Sequence, residues 1–303
     1  MEYVLKTENL TKKYRKFTAL DGLTMSVPKG SIYGFVGRNG SGKTTLIRVI
    51  CGLQEPNKGS YSLYGIDRKS GSITKSRRRM GAVVETPAIY TELSARDNLK
   101  QQYRVLGLPS FDGIDELLQL VGLSETGKKK AGNFSLGMRQ RLGIAVALCG
   151  NPDFLVLDEP INGLDPQGIV EIRELILKLN RERQITVLIS SHILDELARL
   201  ATHYGFIDHG RIVREMSAEE LEAQCRKCVR VEVSDVKALS KVLEEQGFEY
   251  AIISDKEADI YAQISITKLT QTLSENACEL LSIHEHDESL ESYFMKLIGG
   301  ERR

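Results

Sequence analysis

One loop of this sequence has the residue types and spacing needed to hold phosphate groups. The run Gly37-Arg38-Asn39-Gly40-Ser41-Gly42-Lys43-Thr44 matches the pattern G-x-x-x-x-G-K-[ST] in full. Glycines let backbone N–H groups wrap around phosphate oxygens, and a helix that begins in the loop adds the positive end of its dipole. We therefore predict that the loop, together with Thr45, binds a nucleotide. Lys43 would reach the β- and γ-phosphates, and the hydroxyl of Thr44 would ligate Mg²⁺.

Two carboxylates and a histidine follow apolar runs further along the chain. Asp158 and Glu159 come directly after the run from Phe154 to Leu157, and His192 follows the run from Ile185 to Ile189 through two serines. Short apolar runs are typical of buried parallel strands, whose carboxyl ends face the ligand crevice of an open α/β sheet. We expect Asp158 to hold Mg²⁺, directly or through water, and Glu159 to act as general base on the attacking water. A lone histidine is more often structural, but His192 follows a core strand, and the same rule therefore places it near the γ-phosphate.

Alternating strand and helix patterns predict how these residues are positioned. The run from Ile32 to Val36 precedes the glycine loop, and a helix from Thr44 to Cys51 begins on it. An amphipathic helix from Ile169 to Arg181 separates the two later strands. Such alternation predicts a doubly wound α/β core. From Glu85 to Gly150 the pattern becomes helical, which predicts inserted helices at 98–106, 114–121 and 137–148.

The pattern changes again near Ser217 and predicts a second, smaller domain. Its order is β-α-β-β-α-β, the split pattern of ferredoxin-like domains. The predicted strands are 229–233, 250–254, 260–264 and 280–283, and the predicted helices are 236–246 and 268–276. The hairpin between the second and third strands would turn at Asp255-Lys256, and a last helix is predicted at 290–298.

A further segment discriminates between the many chemistries that phosphate loops serve. The run Phe134-Ser135-Leu136-Gly137-Met138-Arg139-Gln140-Arg141 resembles the signature motif of ATP-binding cassette (ABC) proteins, in which one subunit touches the ATP held by another. From Leu5 to Gly210 the chain resembles an ABC nucleotide-binding domain, with the motifs in family order and spacing. The resemblance implies a P-loop NTPase fold of class α/β, with a mixed-sheet core. The expected parts are an ATP-binding domain at 1–216, its helical subdomain at about 86–150, and an accessory α+β domain at 217–303.

The resemblance also implies roles for individual residues. Tyr14 matches the aromatic residue that stacks on adenine. Glu159 matches the family's catalytic glutamate and His192 its switch histidine. Ser135 and Gly137 match the signature positions that contact the ATP of a second copy. Ser135 would cap the helix that starts near Gly137 and direct its free N–H groups at the partner's γ-phosphate. The expected catalytic groups are Lys43, Glu159 and His192.

Three residues depart from the family pattern. Leu136 stands where the signature usually has glycine, and Met138 where it has glutamine. Glu85 occupies a loop position that is usually glutamine. A carboxylate at that position can still ligate Mg²⁺, but it adds negative charge beside the triphosphate. The segments around Glu85 and Met138 also resemble those of bacterial cassettes of the bacitracin and lantibiotic export type.

Composition limits where such a protein works. The chain has 303 residues and zero formal net charge, which removes long-range attraction to nucleic acid. No apolar run approaches the roughly 20 residues that span a bilayer, and the five scattered cysteines suit a reducing compartment. We therefore expect a cytoplasmic, ATP- and Mg²⁺-dependent subunit of a bacterial ABC exporter of antimicrobial peptides or drugs. It would dock through its helical insert on a separate transmembrane permease and pair head to tail with a second copy.

Two other functions fit the same motifs. One is a soluble ABC ATPase that acts on DNA or ribosomes. Such proteins usually carry long coiled coils or two cassettes, whereas this chain has room for one cassette and shows no sustained heptads. The other is a nucleotide-responsive interaction module whose accessory domain binds a regulatory partner.

Overall fold

The chain divides into two units, Met1–Ala218 and Glu219–Arg303. The computed structural model describes residues 2–224, 227–262, 264–276, 278–287, 293–294 and 297. The helix predicted at 290–298 lies outside these residues, except at positions 293, 294 and 297. Within the described ranges, no helix is both long enough and apolar enough to cross a membrane.

The first unit contains strands and helices in alternation after an initial run of strands. In chain order its strands are β1 (Tyr3–Tyr14), β2 (Phe17–Pro28), β3 (Ile32–Val36), β4 (Lys58–Leu63), β5 (Ile66–Asp67), β6 (Met80–Val83), β7 (Phe154–Asp158), β8 (Thr186–Ser191), β9 (His203–Asp208) and β10 (Arg211–Ser217). Its helices are α1 (Lys43–Ile50), α2 (Ile73–Arg77), α3 (Ala95–Leu106), α4 (Ile114–Leu120), α5 (Leu136–Leu148), α6 (Pro166–Arg183) and α7 (Leu194–Ala198). Short 3₁₀ turns lie at Ser124–Thr126 and Ala131–Asn133.

A mixed central sheet confirms the predicted α/β core. Its strand order is β10-β9-β3-β8-β7-β6, and every neighbouring pair is parallel except β9 with β10. Strands β3, β7 and β8 are buried along their whole length, which is why each appears in the sequence as a continuous apolar run. Helices α3, α4 and α5 lie between β6 and β7 in the chain, as expected for an inserted helical segment.

A second, antiparallel sheet in this unit was not predicted. Its order is β2-β1-β4-β5, and β1 and β2 form a long hairpin that joins Tyr14 to Phe17. The pairing of β1 with β2 shifts register at several points, between Thr7 and Leu10 for example. Each bulge interrupts the alternation of inward and outward side chains. The period-two signal that identifies a strand in sequence is therefore lost over this hairpin.

The second unit has the predicted β-α-β-β-α-β order. Helix α8 (Ala218–Gln224), which begins at the last residue of the first unit, precedes this pattern. The pattern consists of β11 (Lys227–Val233), α9 (Val236–Glu245), β12 (Tyr250–Ile252), β13 (Glu257–Ile260), α10 (Ile266–Glu275) and β14 (Leu280–Asp287). The sheet order is β12-β13-β11-β14, with all neighbours antiparallel. Strand β13 thus separates β11 from β12, and β11 separates β13 from β14, which is the split arrangement. Val231, Leu239, Leu243 and Leu273 belong to its apolar core.

The prediction of a strand at 260–264 was wrong in its position. The strand that follows the hairpin turn is β13, which begins at Glu257. The hydroxyl of Ser254 accepts hydrogen bonds from the backbone N–H groups of Lys256 (3.3 Å) and Glu257 (3.1 Å). This side-chain contact closes the turn early, and pairing with β11 then places Ala258 and Ile260 in the core.

One ion pair in the second unit has a buried carboxylate. Arg230 of β11 donates Nε to Oδ1 and Nη2 to Oδ2 of Asp259 in β13, both at 2.7 Å. Asp259 is only 5% exposed. Hydrogen bonding to this carboxylate raises the pKa of Arg230. A buried carboxylate depends on such compensation because leaving water costs it much of its solvation free energy.

We expect Arg230→Met to destabilise the second unit by about 1–3 kcal/mol, because it removes two of the hydrogen bonds made by the buried carboxylate of Asp259. Urea unfolding followed by circular dichroism measures the loss. Lys256→Met, which removes an exposed charge from the nearby turn, is the matched control and should change stability by less than about 0.5 kcal/mol. Equal effects of the two substitutions would contradict the importance of the Arg230–Asp259 pair.

Candidate nucleotide site

The phosphate loop connects β3 to α1 and has no room for a side chain at two of its glycines. Gly42 is the N-cap of α1 with φ 114°, in the left-handed region, and a Cβ there would lie 2.5 Å from the carbonyl oxygen of Ala19. A Cβ at Gly37 would lie 2.6 Å from the carbonyl oxygen of Ile207. Glycine is therefore required by close approach at both positions, and by backbone angle as well at Gly42.

The turn between β9 and β10 supports this loop from behind. The N–H of Gly210 donates to the carbonyl oxygen of Ser41 at 2.9 Å, and the carbonyl oxygen of Gly210 accepts from the N–H of Asp21 at 2.9 Å. Arg211 donates Nε and Nη2 to Oδ2 of Asp21, at 2.9 and 2.6 Å. These residues were not predicted from the sequence, because nothing local connects them with the glycine loop.

Lys43, Glu159 and His192 form one connected cluster. The Nζ atom of Lys43 is buried and donates to the carbonyl oxygens of Gly37 (2.7 Å) and Arg38 (3.2 Å). It also lies 3.2 Å from Oε1 of Glu159, whose Oε2 lies 2.7 Å from Nδ1 of His192. Glu159 has φ 47°, an unfavourable angle for a residue with a Cβ. The structure thus brings together the three residues predicted to be catalytic.

Asp158 lies beside this cluster and is almost fully buried. It is 1% exposed, and its Oδ1 accepts a 2.6 Å hydrogen bond from Oγ of Ser190, the residue opposite it in β8. Ser190 Oγ also accepts from the N–H of Glu159 at 3.0 Å. Oδ2 of Asp158 and Oγ of Ser41 are buried without a hydrogen-bond partner among the described residues. Oxygen donors of this kind suit Mg²⁺, and buried polar atoms of native proteins are normally satisfied.

Cys51 is the C-cap of α1, at the opposite end of the helix from the loop. Burial raises the pKa of its thiol to about 12; the charge of Arg77 lowers it and that of Asp158 raises it by smaller amounts. The thiol therefore stays protonated at neutral pH. It adds no negative charge near the buried carboxylate of Asp158.

Other predicted site residues have partners outside the cluster. Tyr14 is 38% exposed at the end of β1, and its hydroxyl donates to Oε1 of Gln54. Glu85, with φ 59°, lies 2.7 Å from Nη2 of Arg48 through its Oε1. The carboxylate of Glu85, which was predicted to ligate Mg²⁺, is paired with Arg48 in the structure. Of the remaining loop residues, Arg38, Asn39 and Gly40 are exposed, and Thr44 and Thr45 are partly buried.

The signature segment lies at the start of α5. Ser135 is the N-cap, and its Oγ accepts from the N–H of Met138 at 3.2 Å, as its residue type predicts. Leu136 is 38% exposed, and its Cδ2 is 3.4 Å from where a Cβ on Gly163 would lie. A Cβ on Gly137 would find Leu164 Cδ2 at 3.8 Å, so a larger residue has room there. Ser135 and Gly137 are thus next to the loop after Glu159 and not in the cluster with Lys43.

Comparison with known proteins decides which class of nucleotide site this is. The family model described as "ABC transporter" matches residues 20–162. The chain is 43% identical over 304 residues to the bacitracin transport ATP-binding protein BcrA of Bacillus licheniformis, with 99% of each chain covered. The chain belongs to the ABC transporter ATP-binding subunits.

Two further similarities extend this family assignment. The lantibiotic transport ATP-binding protein SrtF of Streptococcus pyogenes is 43% identical over 212 residues, which cover 70% of this chain and 90% of SrtF. The dimeric post-hydrolysis structure of the ATP-binding cassette MJ0796, bound to ADP and Pi, has a TM-score of 0.64 and 26% identity. It covers 71% of this chain and 98% of that chain. As an ABC transporter ATP-binding subunit, the chain is an ATPase. These transport relatives do not favour the non-transport alternatives.

We expect Gly42→Ala to weaken ATP binding at least about tenfold more than Gly40→Ala. Both glycines have positive φ, where alanine costs about 1–2 kcal/mol. Only at Gly42 would the new Cβ also meet a backbone oxygen, whereas the space beside Gly40 is open. Isothermal titration with ATP measures the two dissociation constants. Equal losses would contradict the close packing of the loop against Ala19.

Proposed function

We propose that this chain is the ATP-hydrolysing subunit of a bacterial exporter of antimicrobial peptides or drugs and powers a separate membrane permease. One arrangement carries the proposal: Glu159 lies between Lys43 and His192, beside the buried Asp158. A carboxylate next to a phosphate loop can accept a proton from a water that attacks the γ-phosphate. The names of the bacitracin and lantibiotic transport relatives support the class of exported substrate.

In this proposal, residues 37–45 bind the phosphates of ATP and Tyr14 stacks on its adenine. Thr44 and Asp158 would hold Mg²⁺, and Glu85, which is paired with Arg48 in this structure, would be a further ligand. The buried oxygens of Asp158 and Ser41 that have no protein partner support this assignment. When bound, Mg²⁺ would reduce the negative charge of the triphosphate.

The contact between Lys43 and Glu159 suggests how ATP prepares the site. The γ-phosphate carries more negative charge than a carboxylate and would replace Glu159 as the partner of Lys43. Oε1 of Glu159 is then free to accept a proton from the attacking water. His192, bound to the other carboxylate oxygen at 2.7 Å, would hold that carboxylate in position. His192 and Lys43 thus complete the catalytic set.

A second copy of the chain would complete each ATP site. Ser135 and Gly137 begin α5, whose first N–H groups can be directed at an anion. Ser135 is exposed and Leu136 is 38% exposed, so this helix start is accessible to a partner. The dimeric MJ0796 structure, bound to ADP and Pi, supports the pairing of two copies, which in this proposal is head to tail.

The remaining parts of the chain have roles outside catalysis in this proposal. Residues 1–216 form the ATP-binding domain, and its helical subdomain at 86–150 docks on the permease near 85–103. Residues 217–303 form the accessory domain. The chain works at the cytoplasmic face of the membrane, where the permease holds it. We expect no nucleic-acid partner, because the net charge is zero.

Replacing the proposed general base tests this mechanism. We expect Glu159→Gln to slow ATP hydrolysis by a factor of about 100 or more, since general-base catalysis contributes about 10²–10⁴. The variant should still bind ATP and should accumulate as an ATP-bound dimer. Phosphate release and light scattering measure the two effects. Glu116→Gln, a substitution on α4, is the control. Normal hydrolysis by Glu159→Gln would remove the role given to Glu159.

The proposed partner separates transport from the alternatives. We expect the tagged chain, purified from detergent-treated bacterial membranes, to bring with it a hydrophobic subunit with several membrane-spanning segments. Mass spectrometry identifies what is recovered. Recovery with ribosomes or DNA and without such a subunit would overturn the transport proposal in favour of a non-transport ATPase.

A further inference from the structure

An ion pair connects two segments of the ATP site that belong to separate sequence motifs. Nη2 of Arg48 lies 2.7 Å from Oε1 of Glu85. Arg48 is in the last turn of α1, five residues after Lys43, which is about 7.5 Å along the helix axis. Glu85 follows β6, whose last residue, Val83, is paired with Leu157 of β7. The pair therefore joins the helix that begins on the phosphate loop to the segment beside the strand that ends in Asp158.

The contact between Arg48 and Glu85 matters because it compensates the negative charge of Glu85. Glu85 has a negative charge at a position where the family pattern has neutral glutamine. An uncompensated carboxylate near the triphosphate would oppose ATP binding by Coulomb repulsion. The positive guanidinium of Arg48 cancels that charge through the ion pair. Glu85 also has φ 59°, so the ion pair holds a segment whose backbone is in an unfavourable region.

We propose that Arg48 is a positioning residue of the ATP site: as long as Mg²⁺ does not hold Glu85, Arg48 neutralises that carboxylate and fixes the segment that follows β6. This inference rests on the proposed function, because it assigns the charge of Glu85 to the surroundings of bound ATP. It explains how the site accepts a carboxylate in place of the usual amide. Arg48 does not touch the nucleotide in this proposal and acts through Glu85.

The solvent exposure of the Arg48–Glu85 pair argues against a purely structural role. The side chains of Arg48 and Glu85 are 36% and 53% exposed. Ion pairs with this much solvent contact contribute little to folding stability. Removing Arg48 should therefore leave the fold almost unchanged, while the uncovered charge of Glu85 affects a ligand that carries several negative charges.

The test compares four variants of the full-length chain: Arg48→Met, Arg48→Lys, Glu85→Gln and Arg48→Met/Glu85→Gln. Equilibrium binding of the non-hydrolysable analogue AMP-PNP is measured by calorimetry with and without Mg²⁺. We expect Arg48→Met to weaken binding without Mg²⁺ by about 3- to 10-fold, as for one added charge at an intermediate effective dielectric constant. Binding with Mg²⁺ should change less, because the metal reduces the charge of the nucleotide and can attract the freed carboxylate. Salt should diminish the effect.

Rescue of AMP-PNP binding by a second substitution distinguishes this role of Arg48 from a purely structural one. In the double variant the charge of Glu85 is gone, so binding should return to within about twofold of the wild type. Arg48→Lys, which keeps the positive charge, should also bind nearly normally. Arg79→Met is the matched control, because Arg79 pairs with Asp153 at the opposite ends of the same two strands, β6 and β7. It should not alter the dependence of binding on Mg²⁺.

The outcomes distinguish this inference from the proposed function. Normal binding by Arg48→Met, or a loss that is equal with and without Mg²⁺ and is not rescued by Glu85→Gln, would overturn the role of Arg48. Either result leaves ATP hydrolysis by the wild-type chain intact. Failure of the wild-type chain to bind AMP-PNP would instead contradict the proposed function itself.

Discussion

The register of three parallel strands determines where the charged groups of the site lie. Val36 at the end of β3 is paired with Ser191 in β8, and Ser190 is paired with Asp158 at the end of β7. The loops that follow these strands therefore leave the sheet side by side. A slip of one residue would turn each side chain to the opposite face and separate Asp158 from Ser190. All three strands are buried along their length, so their apolar side chains oppose such a slip. Apolar burial thus fixes the position of a polar site.

This dependence explains which parts of the site could be predicted from sequence. Asp158, Glu159 and His192 each follow an apolar run, and the rule that ligands bind at the carboxyl ends of parallel strands predicts that they lie together. Lys43 was predicted from the glycine pattern of the phosphate loop. The contacts of Glu159 with Lys43 and His192 confirm that they lie together. The capping of α5 by Ser135 was equally predictable, because both partners lie within one turn of helix.

Partners that are distant in sequence could not be predicted. Ser190 was only a spacer between a strand and His192 until the sheet order placed it opposite Asp158. Arg48 had no signal, because its contact with Glu85 depends on how α1 and β6 lie in the fold. The hairpin of β1 and β2 was missed for a different reason: its bulges remove the local periodicity that sequence analysis uses. Side chains that close turns, such as Ser254, shift strand ends by a few residues without changing the pattern of apolar residues.

The left-handed backbone at Glu159 and Glu85 has a consequence for how this protein can change. At these angles any residue with a Cβ is strained by about 1–2 kcal/mol relative to glycine. Folding alone would therefore favour glycine at both positions, whereas only a carboxylate can form the ion pairs seen there. At Glu159, the proposed general base, selection for thermal stability and selection for activity therefore act in opposite directions. A variant library sorted only for heat resistance would enrich glycine at position 159 and, with it, proteins that do not hydrolyse ATP.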